Sequence, residues 1–250
     1  MIVLSSSKDI LLMESTLRKC KIDPTDSYAY KMYELRQAKH HFSFNEHVEA
    51  MVLSLLSANR PWKQIVENLD NLKEIFCNWD AELIKHKNPA ALIFEISSIG
   101  CGNRAISRQM QGLAANIELL QQLQKRVEDL EYLVAEDPYE VSDLLSSYPW
   151  KLNGFAQTLA LQYLRNVGVD TCKPDVHIRR ILARIGFTSY EECSISEIMS
   201  VMKQLSAELG LPITLINEIV WYYGASGYIE MCTKLPRCSI CQIMDCRYRS

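Results

Sequence analysis

The sequence predicts an all-α fold. Three observations carry the prediction. From residue 27 onward, apolar residues recur in segment after segment at the i, i+3, i+4, i+7 spacing of one helix face. Glycine and proline are scarce, at 9 and 8 of 250 residues, which leaves room for long helices. No stretch alternates apolar and polar residues as a half-buried strand would, and no internal repeat is visible.

The elements follow in order. Val48, Met51, Val52, Leu55 and Leu56 form one apolar stripe, and Ser43 with Glu46 supplies a capping box ahead of it. Trp62, Ile65, Leu69, Leu72 and Ile75 continue the pattern behind Pro61, a good first helical residue. Asn103–Lys125 reads as one long helix with Ile106, Met110, Leu113, Ile117, Leu120 and Leu123 inward. Asp137, Pro138 and Glu140 open another, which Pro149 stops. Ser194 with Glu197 starts a further helix, and Thr214–Tyr223 carries Ile216, Ile219 and Val220 up to Gly224.

Composition narrows the function classes. With 48% hydrophobic and 23% charged residues, the chain can build one sizeable core or two packed modules. The net charge of −3 gives no global field for nucleic acid, so any such contact needs local patches. No apolar run is long enough to span a bilayer, and no charged region precedes the N-terminal apolar stretch as in a signal peptide. Nine cysteines, five of them scattered (Cys20, Cys77, Cys101, Cys172, Cys193), argue against a secreted disulfide framework. The expectation is an intracellular protein of the cytoplasm or nucleoid, monomeric, with no membrane partner.

Two places break the helical regularity. In the first, a turn at Asn153-Gly154 leads into a helix carrying Leu159, Ala160, Tyr163 and Leu164. This reads either as an ordinary helical corner or as an anion site, because the N–H groups of a helix start are free and the dipole favours a phosphate there. Twenty-one residues after Gly154 comes Asp175, behind Pro174 and at the start of a helix with Ile178, Ile181, Leu182 and Ile185 on one face. Aspartate is a favoured N-cap, and a capping carboxylate is also an oriented one, so the two roles are compatible. Lys173, Arg179, Arg180 and Arg184 surround it in sequence and are expected to supply a local positive field. His177 is expected to be satisfied within the fold.

The second is the tail. Cys232, Cys238, Cys241 and Cys246 are separated by five, two and four residues. Four thiolates so close together argue for metal ligation, as either a 4Fe–4S cluster or a tetrahedral zinc.

Turn, helix and downstream aspartate together resemble the helix-hairpin-helix DNA glycosylase superfamily, which includes endonuclease III and the adenine and 8-oxoguanine glycosylases. Leu152-Asn153-Gly154-Phe155-Ala156-Gln157-Thr158-Leu159-Ala160 is similar to the family hairpin Leu-Pro-Gly-hydrophobic-Gly-x-x-x-Ala, and "YLRNVG" at 163–168 is similar to the 8-oxoguanine branch. "LLSAN" at 55–59 resembles the "LLSAQ" of endonuclease III, and "IGCGNRA" at 99–105 resembles the loop that wedges the opposite strand. The likeness covers roughly residues 43–246. Asn153 and Ala156 depart from the usual Pro and second Gly, and Thr158 stands where bifunctional members carry a Schiff-base lysine.

The resemblance implies specific roles. Gly154, Ala156 and Gln157 would grip a phosphate, Asn59 would fill the hole left by an extruded base, Cys101 would wedge, and Arg179 would contact DNA. Asp175 would be the catalytic carboxylate, with Thr158 placing water or packing. The tail is similar to the Cys-x6-Cys-x2-Cys-x5-Cys of endonuclease III, with "LPRC" against "KPRC", which favours the 4Fe–4S cluster over zinc. Lys234, Arg237, Arg247 and Arg249 would then face DNA. The implied architecture is two helical modules, residues 43–164 and residues 1–42 plus 165–250, with Asp175 at their cleft. The implied activity is hydrolysis of the N-glycosidic bond of a damaged or mismatched base flipped from double-stranded DNA, without strand cleavage. The alternatives are a glycosylase/lyase using Lys151 or Lys173, and a DNA-binding protein without catalysis.

Overall fold

The structure, a computed structural model, describes residues 7–58 and 62–249. Among the described residues every regular element is helical and none is a strand. In chain order the α-helices are α1 Lys8–Lys19, α2 Tyr28–Gln37, α3 Phe44–Leu56, α4 Trp62–Val66, α5 Leu69–Ile75, α6 Ala81–His86, α7 Pro89–Ser98 and α8 Ile106–Gln111. They continue as α9 Leu113–Val127, α10 Leu130–Val134, α11 Pro138–Leu144, α12 Gln157–Asn166, α13 Val176–Arg184, α14 Ile195–Leu209 and α15 Ile213–Gly224. No helix is long and apolar enough to cross a membrane among the described residues.

Contacts divide the chain into two compact units. One runs to Glu34 and resumes at Asp170, and the other spans Leu35–Val169. Residues 35–42 and 165–169 thus sit with the second of these rather than on the other side of the expected boundary. Arg36 shows why: its Nε donates to Val167 O at 2.7 Å, and its Nη atoms pair with Glu131 at 2.8 and 3.2 Å.

The Leu35–Val169 unit is built around α3. Its capping box forms, with Ser43 N–H donating to Glu46 Oε2 at 2.8 Å and Glu46 N–H donating to Ser43 Oγ at 3.4 Å. Nearly every residue from His47 to Leu56 is then buried, which is the pattern of a helix enclosed on all sides. It packs on α12, which packs on α11. The predicted Asn103–Lys125 helix is two helices, broken at Gly112 between α8 and α9. The segment expected after Pro61 is also two, α4 and α5, and Pro61 itself lies outside the described residues. α11 stops at Leu144, ahead of Pro149, after Asp137 Oδ1 has capped its start.

The other unit is built around α15, which α1, α13 and α14 all touch. Ile216, Ile219 and Val220 are fully buried, each worth about 2 kcal/mol of apolar burial. Asp170 caps the start of α15 by accepting from Ile213 N–H at 3.3 Å and Thr214 N–H at 2.8 Å. Ser194 caps α14 through Glu197 N–H at 3.1 Å.

Candidate functional site

The turn before α12 owes its shape to one glycine and one buried asparagine. Gly154 has φ +83°, a conformation L residues rarely adopt, and a Cβ there would lie 3.1 Å from Leu55 Cδ2. Asn116 of α9, fully buried, accepts from Asn153 N–H at 2.6 Å and from Asn153 Nδ2 at 3.1 Å, and donates back to Asn153 O at 3.0 Å. Leu152 and Phe155 plug the turn into the core. Ala156 is the exposed, extended N-cap of α12 and offers no side-chain cap. The first N–H groups of α12 are therefore not satisfied by a capping oxygen, which suits an anion. Gln157 does not point that way: its Nε2 donates to Ser142 Oγ at 3.2 Å and Tyr139 O at 3.5 Å on α11. Thr158 is half-buried in the first turn of α12.

The neighbouring loops are tied to this turn. Leu55 O, one of the last carbonyls of α3, accepts from Asn103 Nδ2 at 3.1 Å and Gln109 Nε2 at 2.9 Å. Asn103 Nδ2 also donates to Leu56 O at 3.3 Å and Gln109 Oε1 at 3.0 Å. Asn103 and Gln109 thus fasten the 99–105 loop to the end of α3, beside Gly154. The role expected of Cys101 is corrected here. Its side chain is fully buried, with Sγ 3.6 Å from Gln64 O, so it cannot enter a duplex; Arg104 is the exposed residue of that loop. Asn59 lies outside the described residues.

In the other unit, Asp175 is the N-cap of α13. Its Oδ1 accepts from His177 N–H at 2.9 Å and Ile178 N–H at 3.2 Å, while Oδ2 accepts from Trp221 Nε1 of α15 at 2.9 Å. The carboxylate is half-buried and held by three donors. His177 Nδ1 lies 2.9 Å from Arg180 Nη2 and 3.1 Å from Gly224 O. Burial pushes its imidazole below the ordinary histidine value, Asp175 pulls the other way, and the Arg180 guanidinium pushes it down further.

Three of the four cations expected to form a field around Asp175 turn toward backbone carbonyls instead. Arg179 bonds Pro174 O and Cys193 O, Arg180 donates to Cys232 O at 3.1 Å, and Arg184 donates to Thr233 O at 2.6 Å. Arg180 and Arg184 are buried. Backbone carbonyls take part of the hydrogen bonding of all three, and the half-buried Arg179 is engaged with two of them. Arg247 and Arg249 likewise bond carbonyls of 186–188 and 241–243, while Lys234, Arg237 and Arg247 are all exposed.

Cys232, Cys238, Cys241 and Cys246 all line one small cavity of about 20 Å³, with Ile181, Ile185, Tyr223, Ile243, Arg184 and Arg249 among its walls. No disulfide joins the four. Among the described residues, no three His, Cys, Asp or Glu side chains are gathered as ligands of a single metal ion. Tyr223 Oη sits 3.1 Å from Cys241 Sγ, and Arg184 Nη1 donates to Cys232 Sγ at 3.6 Å. A Cβ on Gly224 would come within 2.8 Å of Cys232 O, so only glycine lets the cysteine loop close on α15.

Asn103, Gln109, Asn116 and Trp221 escaped the sequence reading. Gln109 and Asn116 are buried polar residues on otherwise apolar helix faces, and that mismatch was the available signal.

No protein-family model matches the sequence, and no curated protein matches it. Solved structures do. The 8-oxoguanine DNA glycosylase of Thermotoga maritima superposes with a TM-score of 0.63 at 17% identity, over 86% of this chain and 94% of that one. The Methanocaldococcus jannaschii 8-oxoguanine glycosylase/lyase, bound to a 15-mer DNA containing 8-oxoguanine, gives 0.59 at 16% identity, over 86% and 95%. A second structure of the Methanocaldococcus jannaschii enzyme gives 0.58 at 18%, over 86% and 91%. The chain shares the fold of these 8-oxoguanine DNA glycosylases.

Proposed function

We propose that this chain is a DNA N-glycosylase that hydrolyses the bond between sugar and a damaged or mismatched base flipped out of double-stranded DNA. The observation that carries this reading is the carboxylate of Asp175, fixed at a helix start by three N–H donors in a fold shared with such enzymes. Flipping the base costs a few kcal/mol in lost stacking. Departure of the base leaves positive charge on the sugar, and a fixed carboxylate stabilises that charge and orients the attacking water. The turn at Gly154 and the open start of α12 grip one backbone phosphate.

The reaction ends at an abasic site. A lyase needs an amine to form an imine with the sugar, and Thr158 offers only a hydroxyl. The Methanocaldococcus jannaschii neighbour is a glycosylase/lyase, so the distinction is tested directly. Borohydride trapping on lesion-bearing duplexes gives no covalent complex here; a trapped complex would assign the amine to Lys151, which is exposed, or to Lys173, which is half-buried.

We assign the tail cavity to a 4Fe–4S cluster, with zinc the alternative. The fit rests on this chain's residues. Four thiols surround one cavity, isoleucines shield it, and Arg184 and Arg249 offset the negative charge of bound thiolates. Four thiolates serve either group: a tetrahedral zinc takes all four sulfurs about 2.3 Å from one centre, and a 4Fe–4S cluster takes one sulfur per iron. When bound, the group cross-links the tail; Arg180, Arg184 and Tyr223 hold that tail from α13 and α15. Iron, sulfide and zinc counts on anaerobically purified protein decide between the two.

The test of the main reading is a screen of duplexes carrying 8-oxoguanine, uracil, thymine glycol, alkylated purines or mismatches, scored for abasic sites with and without alkali. 8-Oxoguanine comes first because of the structural neighbours. Base release by the natural chain, lost in Asp175→Asn with DNA binding kept, supports an enzyme. Binding with no release from any duplex leaves a DNA-binding protein.

A further inference from the structure

We infer that Trp221 is a positioning residue for the glycosylase reaction, whose indole N–H fixes the rotation of the Asp175 carboxylate. The inference rests on the glycosylase function proposed for the chain and adds a residue to it. A helix N-cap needs one carboxylate oxygen, and Oδ1 alone meets that need with two N–H donors from α13. The planar carboxylate turns as one unit, so the cap restrains Oδ2 only through the soft terminal torsion of aspartate, and a donor on Oδ2 itself stiffens that torsion. That donor, Trp221 Nε1 at 2.9 Å, comes from 46 residues further along the chain.

The indole is itself held. Its ring centroid lies 5.5 Å from that of Tyr222, 5.3 Å from Tyr228 and 5.8 Å from His177, all at steep interplanar angles, and Tyr222 and Tyr228 stand 4.4 Å apart. A carboxylate offers about four acceptor directions. Three are taken, so one remains, and its direction is set by Trp221. That remaining lone pair is the one available to a water or to the cationic sugar. Electrostatic help of this kind depends on a geometry fixed before the reaction starts.

Two measurements on the full chain test this. The protein has 4 tryptophans, so nitrogen-15 spectra contain few indole signals, and Trp221→Phe assigns one of them to position 221. In Asp175→Ala that signal moves further than any other. A second comparison with Asp175→Asn, which keeps the cap, guards against a variant that fails to fold. A Trp221 signal unmoved in both overturns the inference. In single-turnover assays on an 8-oxoguanine duplex, or on whichever duplex the screen identifies, Trp221→Phe lowers base release about 10- to 100-fold with unchanged DNA affinity. A rate equal to that of the natural chain overturns the role, and so does an equal loss of rate and affinity, which marks a structural residue. If the natural chain releases no base from any duplex, the reaction itself is absent and the role falls with it, even with the indole bond intact.

Discussion

The two units secure their candidate functional groups by opposite chemistry. Around the Gly154 turn the fasteners are neutral amides: Asn116, Asn103 and Gln109 exchange hydrogen bonds with backbone. Around Asp175 and the cysteine tail they are arginines and an indole. Amide clamps fix the path of the backbone leading into the uncapped start of α12. A carboxylate needs its direction fixed, and the arginines around it are occupied with carbonyls and so do not pair with it directly. The lesson is that a cluster of cations near an aspartate in sequence can fold inward onto backbone carbonyls.

The sharpest way to break this comparison is at the carboxylate. Asp175→Asn keeps a good N-cap but removes the charge, and base release in single-turnover assays falls by at least about 1000-fold while DNA affinity holds. A parallel loss of affinity would put grip and chemistry on the same group. Next in size is Glu131, away from both sites. Burial alone would raise it, but hydrogen bonds from His47 and Arg36 and the Arg36 charge outweigh that and hold it at about 2, against an ordinary 4.5. A depressed carboxylate stabilises the fold above the unfolded value and loses that contribution as pH falls from 4.5 to about 2. The difference is about 3 kcal/mol, read by denaturant melts across that range. Glu131→Gln flattens the pH dependence and lowers stability at neutral pH.

Smaller effects sharpen the contrast. Asn116→Ala removes three hydrogen bonds to the turn and costs about 2 kcal/mol of stability. It weakens DNA binding in titrations and leaves the release rate at saturating DNA unchanged. Gly154→Ala forces a side chain into φ +83° beside Leu55 and costs about 1–2 kcal/mol, with the same split between binding and rate.

The fold class and most helix starts were legible because capping and periodicity are local. Ser43 with Glu46, Asp137 and Ser194 each cap a helix start as predicted. The single helix read through Gly112 was not, since a glycine inside an apolar pattern is compatible with either outcome and tertiary packing chose the break. Asp175 was legible as an N-cap because its proline and its helix are contiguous with it. The direction of Cys101, Gln157, Arg179, Arg180 and Arg184 was illegible for the opposite reason. Spacing tells which face a residue occupies, but the carbonyls that claim an arginine arrive from distant segments such as 193 and 232–233. Trp221 was illegible for the same reason, since its partner Asp175 lies 46 residues away in the chain.

Trp221, Tyr223 and Gly224 are near-consecutive on α15, yet they serve the carboxylate, a cysteine sulfur and the close packing of the cysteine loop in turn. One inserted or deleted residue in the middle of that helix would rotate its C-terminal half by about 100° and throw all three out of register together. Length variation is therefore barred from this stretch, and lineages that reshape the chain are free to do so only in the connections on either side of it.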